Sequence, residues 1–308
     1  MTPLATHLEA EAEARGALAQ REHERRAVAA HYENDPEVFS LVLDRRLAYA
    51  TGIFSHEGED LETAQARKYA WIADQLAIQP DQGVLDVGCG WGSNLLYLAE
   101  HTHGRFRGVT LSARQREEAR ARAERSGVAD RVRIDLAHVE DLDLPPESLD
   151  AVLFVGSIVH MHHREAIHEK VARALRPGGR LLISDCFFPV EARGDRDSAA
   201  SRYIFETALG YCRLLHLSDE LGLVERCGLD VVRVVDLTAS YACTLGRWID
   251  NVRANRPRIE ALAPGFSRVL QVYMTIARLS FQRRRALEYM VVASKGRPAR
   301  PLAGGVLP

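Results

Sequence analysis

The sequence predicts an α/β fold: a parallel sheet with helices on both faces, extended by an N-terminal helical segment and a helical lid. Three observations carry this. Between residues 84 and 185, apolar strand patterns alternate with helical patterns over short connections, as in a parallel sheet covered on both sides. The first strand runs into three glycines at alternate positions, Gly88, Gly90 and Gly92. After residue 185 the alternation stops, and mostly helical patterns follow.

The elements are justified in order. Residues 5–30 are rich in Ala, Glu and Arg, with Gly16 as their one glycine and no proline. That composition favours a mostly polar helix. Its apolar stripe (Leu4, Leu8, Ala12, Leu18, Ala19) is thin, and two readings fit: a solvated leader, or an arm that joins copies into a homo-oligomer. Asp35-Pro36 is a helix start, a capping side chain followed by proline at the first helical position. Residues 60–79 carry Leu61, Ala64, Tyr69, Ile72 and Leu76 at helical spacing.

Strands are then expected at 84–87, 105–110, 131–135, 151–156 and 180–185. Helices fall at 93–100, 113–126 and 164–175, and Pro177-Gly178-Gly179 turns the chain into the fifth strand. Beyond it, 197–225 reads as helix and 231–237 as strand. A second helical stretch, 241–285, breaks at Pro264-Gly265, and 286–294 reads as a closing strand. Pro and Gly dominate 296–308, a disordered tail. The expected organisation is an arm and cap (1–65), a core (66–188), a lid with closing strands (189–295) and the tail.

Bulk properties exclude several function classes. At 308 residues, with 46% hydrophobic and 27% charged residues, the composition is that of a soluble globular chain. A net charge of −2 provides no basic field, so no nucleic-acid partner is expected. Cys89, Cys186, Cys212, Cys227 and Cys243 are odd in number and form no C-x-x-C pair. That argues against disulfides and zinc, so no metal is expected and a reducing cytoplasm fits. No leader with an apolar centre and no membrane-length apolar run is present, so no integral membrane contact is expected.

The chemistry starts at Val84-Leu85-Asp86-Val87-Gly88-Cys89-Gly90-Trp91-Gly92. Glycines let the backbone turn sharply and approach a ligand. The helix that follows offers free N–H groups to polar ligand atoms. The spacing is G-x-G-x-G rather than the G-x-G-x-x-G of dinucleotide folds. With Asp86 ahead of it, this segment resembles motif I of class I S-adenosylmethionine (SAM) methyltransferases. A Rossmann-like sheet is what that resemblance implies.

Four segments together resemble the cyclopropane-fatty-acid-synthase-like branch of those enzymes. They are His31-Tyr32-Glu33-Asn34-Asp35 with Phe39 and Leu43-Asp44; the glycine loop; Gly108-Val109-Thr110-Leu111-Ser112 with Gln115; and Tyr241 with Thr244-Leu245 and Trp248. The resemblance implies that Gly88, Gly90 and Gly92 pass under the methionine portion of SAM. Thr110, Leu111, Ser112 and Gln115 would contact the ribose region. The turn of His138, Val139 and Glu140 would border the adenine, and Tyr32 and Tyr49 would cover the cofactor. Asp86 would accept hydrogen bonds from backbone N–H groups or from the cofactor's ammonium.

Cyclopropane synthases of this branch resemble one another in a bicarbonate site built from a cysteine, a glutamate and a histidine. Thr51, Val159 and a histidine-free strand (Leu181-Leu182-Ile183-Ser184-Asp185) stand at those places here, while Tyr241 remains. The expected function is therefore methylation of a small, largely apolar metabolite. An alkene-type carbon of a prenyl or polyketide-like natural product, methylated through a cation, is favoured. The alternatives are cyclopropanation of unsaturated lipids, or O- or N-methylation of a polar natural product.

The candidate catalytic groups are His160, Tyr241 and Glu206. His160 follows the fourth strand and reads equally as a base or as a structural histidine. Tyr203, Phe205, Tyr211, Tyr241 and Phe187 are candidate pocket aromatics or core residues. Arg202 and Arg213 are candidate anion ligands or surface charges.

Overall fold

Apolar runs at the centre of the chain become strands buried on both faces: Val152, Leu153 and Phe154 in succession are inaccessible to solvent. In the computed structural model, which describes Arg26, residues 35–190 and residues 212–296, five strands run parallel. They are β1 (Gly83–Val87), β2 (Arg105–Thr110), β3 (Val132–Leu136), β4 (Leu149–Val155) and β5 (Leu175–Phe187). Two later strands, β6 (Asp230–Asp236) and β7 (Leu287–Ser294), complete the sheet. β7 lies antiparallel to both β5 and β6, giving the order β3-β2-β1-β4-β5-β7-β6.

Helices cover both faces. A short helix, α1 (Pro36–Ser40), precedes α2 (Leu61–Leu76). On one face α2, α3 (Ser93–His101) and α4 (Ala113–Arg125) bring Ile72, Leu95 and Ala119 onto Val84, Leu153 and Leu182. On the other, α5 (Arg164–Ala174) and α6 (Leu217–Arg226) bring Ile167, Val171 and Val224 onto Leu85, Val152 and Ile183. Local chemistry sets the helix starts: Asp35, Asp60 and Ser112 each accept a backbone N–H of the first turn with their side-chain oxygens.

Three further helices, α7 (Thr238–Ala254), α8 (Arg256–Leu262) and α9 (Phe266–Gln282), lie between β6 and β7. Their apolar faces pack on the N-terminal segment, so that Leu245, Trp248 and Met274 share one cluster with Val38, Phe39 and Leu43. Polar ties fix the contact. Thr244 Oγ1 accepts from Gly52 N at 3.0 Å, and Asn251 Nδ2 donates to Val42 O at 2.8 Å.

Several boundaries differ from the sequence reading, each for a local reason. Asp35-Pro36 does start a helix, but α1 has only five residues before the chain turns inward to bury Val42 and Leu43. The stretch expected as one helix broken once is three helices. The extra break is at Asn255, whose side chain donates to Leu41 O, and Pro257 has no N–H to continue α7. Pro177-Gly178-Gly179 lies inside β5 as an irregularity: Leu149 pairs with Leu175 and Ala151 with Arg180. Gly178 takes a φ of 79° there. Apart from Arg26, the arm at 5–30 lies outside the described residues, as do 197–211 and the tail from 297. Of the helix expected over 197–225, the described part is helical only from Leu217; residues 212–216 are non-helical and tied to the end of β5 by the Phe188–His216 bridge.

Trp248 is fully buried where cap and lid meet. Trp248→Ala is expected to lower stability by about 3–5 kcal/mol. Chemical denaturation monitored by far-UV circular dichroism checks it; a loss under about 1 kcal/mol would mean the cap does not depend on this side chain.

Candidate active site

The carboxyl ends of β1, β2 and β4 converge on one cleft, the expected ligand position in such a sheet. Its lining includes Gly88, Gly90, Thr110, Leu111, Gln115, His138, Val139 and His160, all singled out from sequence. Gly88 has a φ of 76°, and a Cβ there would stand 2.4 Å from Ser157 Cβ, so only glycine fits. At Gly90 (φ 54°) a Cβ would meet only Gln115 Nε2, at 3.8 Å, so the backbone is open to the cleft on that side.

Hydrogen bonds hold the cleft in shape. Gly88 N and Cys89 N both donate to Val109 O at 2.9 Å, joining the glycine loop to β2. Thr110 Oγ1 donates to Gln115 Oε1 at 2.6 Å and accepts from Ser112 N at 3.2 Å. Ser112 does not line the cleft; it caps α4. Gly92, in the left-handed region, caps α3. His138 Nδ1 accepts from Glu140 N at 3.2 Å, while the Glu140 carboxylate lies 3.2 Å from His163 Nδ1.

Asp86 closes the inner end. It directly precedes Val87 and Gly88, both in the lining. It is 1% exposed, and neither carboxylate oxygen has a hydrogen-bond partner among the described residues. Burial raises its pKa to about 7, with Lys68 pulling the other way. Lys68, on α2, is itself fully buried with no hydrogen-bond partner on Nζ, and desolvation lowers it to about 8. An unsatisfied carboxylate beside an open glycine loop fits the cationic amino-acid end of SAM. When bound, SAM supplies a methyl group on a sulfonium, open to nucleophilic attack.

His160 ends a 3-10 turn, Ile158–His160, that Asp185 holds in place. Asp185 Oδ2 accepts from Ile158 N at 2.9 Å and Val159 N at 3.3 Å. Burial nonetheless lifts the Asp185 pKa to about 6. Tyr49 and Tyr241 lie against Trp248, with ring centroids 5.2 and 6.2 Å from it, and Tyr49 O would lie 3.6 Å from a Cβ placed on Gly156 of the cleft lining. Tyr32 and Glu206 lie outside the described residues, as do Arg202, Tyr203, Phe205 and Tyr211. Of the residues left open in sequence, Phe187 is fully buried, as a core residue, and Arg213 is exposed, as a surface charge.

Sequence reasoning missed a buried polar group at the same end of the sheet. Glu288, on β7, accepts from Ser184 Oγ at 3.0 Å and from the Cys186 thiol at 3.2 Å. Burial, with Asp185 adding to it, raises its pKa to about 8. The available signal was a glutamate between apolar neighbours in a strand pattern, and a lysine, Lys68, within the apolar stripe of α2.

A glycine-cradled cleft at the strand ends, with an unpaired acid behind it, defines a class I methyltransferase site. The sequence model for mycolic acid cyclopropane synthetase matches residues 19–289, and the chain belongs to that family. It is a SAM-dependent methyltransferase. Methyltransferase GfsG of Streptomyces halstedii is 31% identical over 219 residues, covering 69% of this chain and 76% of the relative. The cyclopropane-fatty-acyl-phospholipid synthase of Escherichia coli K12 is 28% identical over 270 residues, 86% of this chain and 67% of the relative. The solved structure of mycolic acid cyclopropane synthase CmaA1 complexed with SAH and CTAB superposes with a TM-score of 0.80 at 25% identity. It covers 88% of this chain and 98% of that one.

Asp86→Ala and Gly90→Val are expected to abolish SAM binding in calorimetry; affinity within about tenfold of wild type in either would refute the assigned cradle. Asp86 also predicts a pH effect in the ligand-free protein. Its folded pKa, about 7, lies above the ordinary value of 3.8, so the folded state holds the proton more tightly. Its contribution is greatest below pH 4 and is lost as pH rises through 7. Asp86→Asn is expected to match wild type in Tm near pH 4 and exceed it at pH 8. Parallel Tm curves would contradict the buried, unpaired state.

Proposed function

We propose that this chain methylates a small, largely apolar acceptor at an alkene-type carbon, through a cation that then loses a proton. The observation that carries the reading is the apolar replacement of the family's bicarbonate site. Val159 is 5% exposed and packs with Phe188 and Leu214, and Cys186 and Cys212 lie against them. The Thr51 hydroxyl, buried, donates to Gly52 O at 2.9 Å. A dry, apolar wall suits a substrate that becomes a cation and must not meet water.

In this reading Gly88 and Gly90 admit the cofactor close to the backbone, and Asp86 holds its ammonium. Thr110, Gln115, His138 and Val139 hold the nucleoside end. Tyr49 and Tyr241 offer ring faces to a cation, each contributing about 1–2 kcal/mol in a desolvated setting. His160, half-buried in the lining between cofactor and acceptor, takes or relays a proton.

Methyl-labelled SAM with two acceptor pools tests this. One holds unsaturated phospholipids, the other prenyl diphosphates and polyketide-type metabolites. Label on carbon in the metabolite pool is expected. Label in the phospholipids would establish the lipid reading, and label on oxygen or nitrogen would exclude the cation. His160→Ala is expected to slow turnover about 100-fold or more with little change in SAM affinity; unchanged turnover would remove His160 from the mechanism.

A further inference from the structure

In the methyl-transfer reading His160 can relay a proton at the cofactor cleft, but a group on the acceptor side must first take it, and the family's bicarbonate ligands are replaced here. Below the lid, four side chains from four parts of the chain remain half-buried: Tyr49, Cys186, Cys212 and Tyr241. All four pack against apolar clusters: Tyr49 and Tyr241 on one, Cys212 on another and Cys186 on both. Burial also pushes the Cys186 thiol and the Tyr241 hydroxyl well above their ordinary values, as expected of an internal wall. With Val159 they form one largely apolar wall, joined through Cys186.

Behind Cys186 stands Glu288. The two residues are direct partners across β5 and β7, which puts their side chains on one face of the sheet. The thiol donates to Glu288 Oε2, and Ser184 Oγ donates to Oε1, so both carboxylate oxygens are held. Glu288 is 3% exposed. The groups facing it are Ser184, Asp185 and Cys186 from β5, Lys68 from α2 and Tyr241 from α7. Lys68 Nζ, fully buried without a hydrogen-bond partner among the described residues, feels the charges of Asp44, Glu288 and Asp86.

We propose that Cys186 and Glu288 together are the proton acceptor of the acceptor cavity, ionised Glu288 serving also as counter-charge to the cation. The proposal rests on the carbon-methylation reading. The alkene's π pair forms the new C–C bond, and the S–C pair stays on sulfur as S-adenosylhomocysteine. The carbon beside the cation then loses a proton, and its C–H pair becomes the new double bond. That proton passes to the Cys186 sulfur as the thiol proton moves to Glu288. Glu288 ends as a carboxylic acid and returns the proton to solvent after product leaves. No oxidant or reductant is needed.

The test does not require the natural acceptor. Dodecyltrimethylammonium, a permanent cation on an apolar chain, is titrated below its micelle-forming concentration into wild type, Glu288→Gln and Glu288→Asp at pH 7 and pH 9. A carboxyl group titrating at about 8 is roughly one-tenth ionised at pH 7 and nine-tenths at pH 9. Wild type should therefore bind up to about tenfold more tightly at pH 9. Glu288→Gln should lose that rise, and Glu288→Asp, which keeps a charge, should retain part of it, separating lost charge from lost fold. A rise retained in Glu288→Gln would assign it to Lys68 and overturn the proposal. Absence of the rise in wild type, or of any binding, would do so as well. Methyl label on oxygen or nitrogen of the true acceptor would defeat the methylation reading while leaving the cation-binding result standing.

Discussion

Three carboxylates buried at one edge of the sheet set the terms for the rest of the structure. Asp86 ends β1, Asp185 lies near the end of β5, and Glu288 lies near the start of β7, where the antiparallel strand enters at the same edge. All are 3% exposed or less. Burying charge in an apolar interior is costly unless donors or counter-charges meet it. Each is met differently. Asp185 accepts three backbone N–H groups, Glu288 accepts a hydroxyl and a thiol, and Asp86 has only the nearby charge of Lys68. The group with the fewest donors is the one beside the ligand cleft.

The cap keeps that edge dry. The N-terminal segment and the helices between β6 and β7 are distant in sequence, yet they interdigitate over Phe39, Trp91 and Trp248. Several polar ties among them use a side chain of one segment and the backbone of the other, such as Thr244 to Gly52 and Asn251 to Val42. Such ties fix orientation, while the aromatic packing supplies most of the stabilisation. A low dielectric above the strand ends strengthens every charge interaction beneath it.

The cofactor side was legible in sequence because it is local. Gly88, Gly90, Thr110, Gln115 and His138 lie in or directly beside the strand-to-helix turns, whose backbone shape follows from a few adjacent residues, and a strand followed by such a turn has one useful geometry. The acceptor side was not. Cys186 read as one scattered cysteine and Glu288 as one charge in a closing strand, and 102 positions separate them. Nothing local signals that the two strands pair antiparallel with these residues opposite. Phe187, which sequence left open between pocket and core, follows Cys186 in β5, so its side chain points to the other face and into the core.

The sequence by itself determined the α/β class, the order of the strands along the chain, the helix starts at Asp35, Asp60 and Ser112, and the glycine cradle. Each of these depends on neighbours within a few residues, through periodicity, capping or backbone freedom. Only the tertiary structure decided the place of β7 between β5 and β6, the joining of cap and lid in one cluster, and the meeting of Lys68, Asp86 and Glu288. Those depend on long-range pairing and on which charges lose their water. Desolvation is a property of the assembled interior and has no local sequence signature.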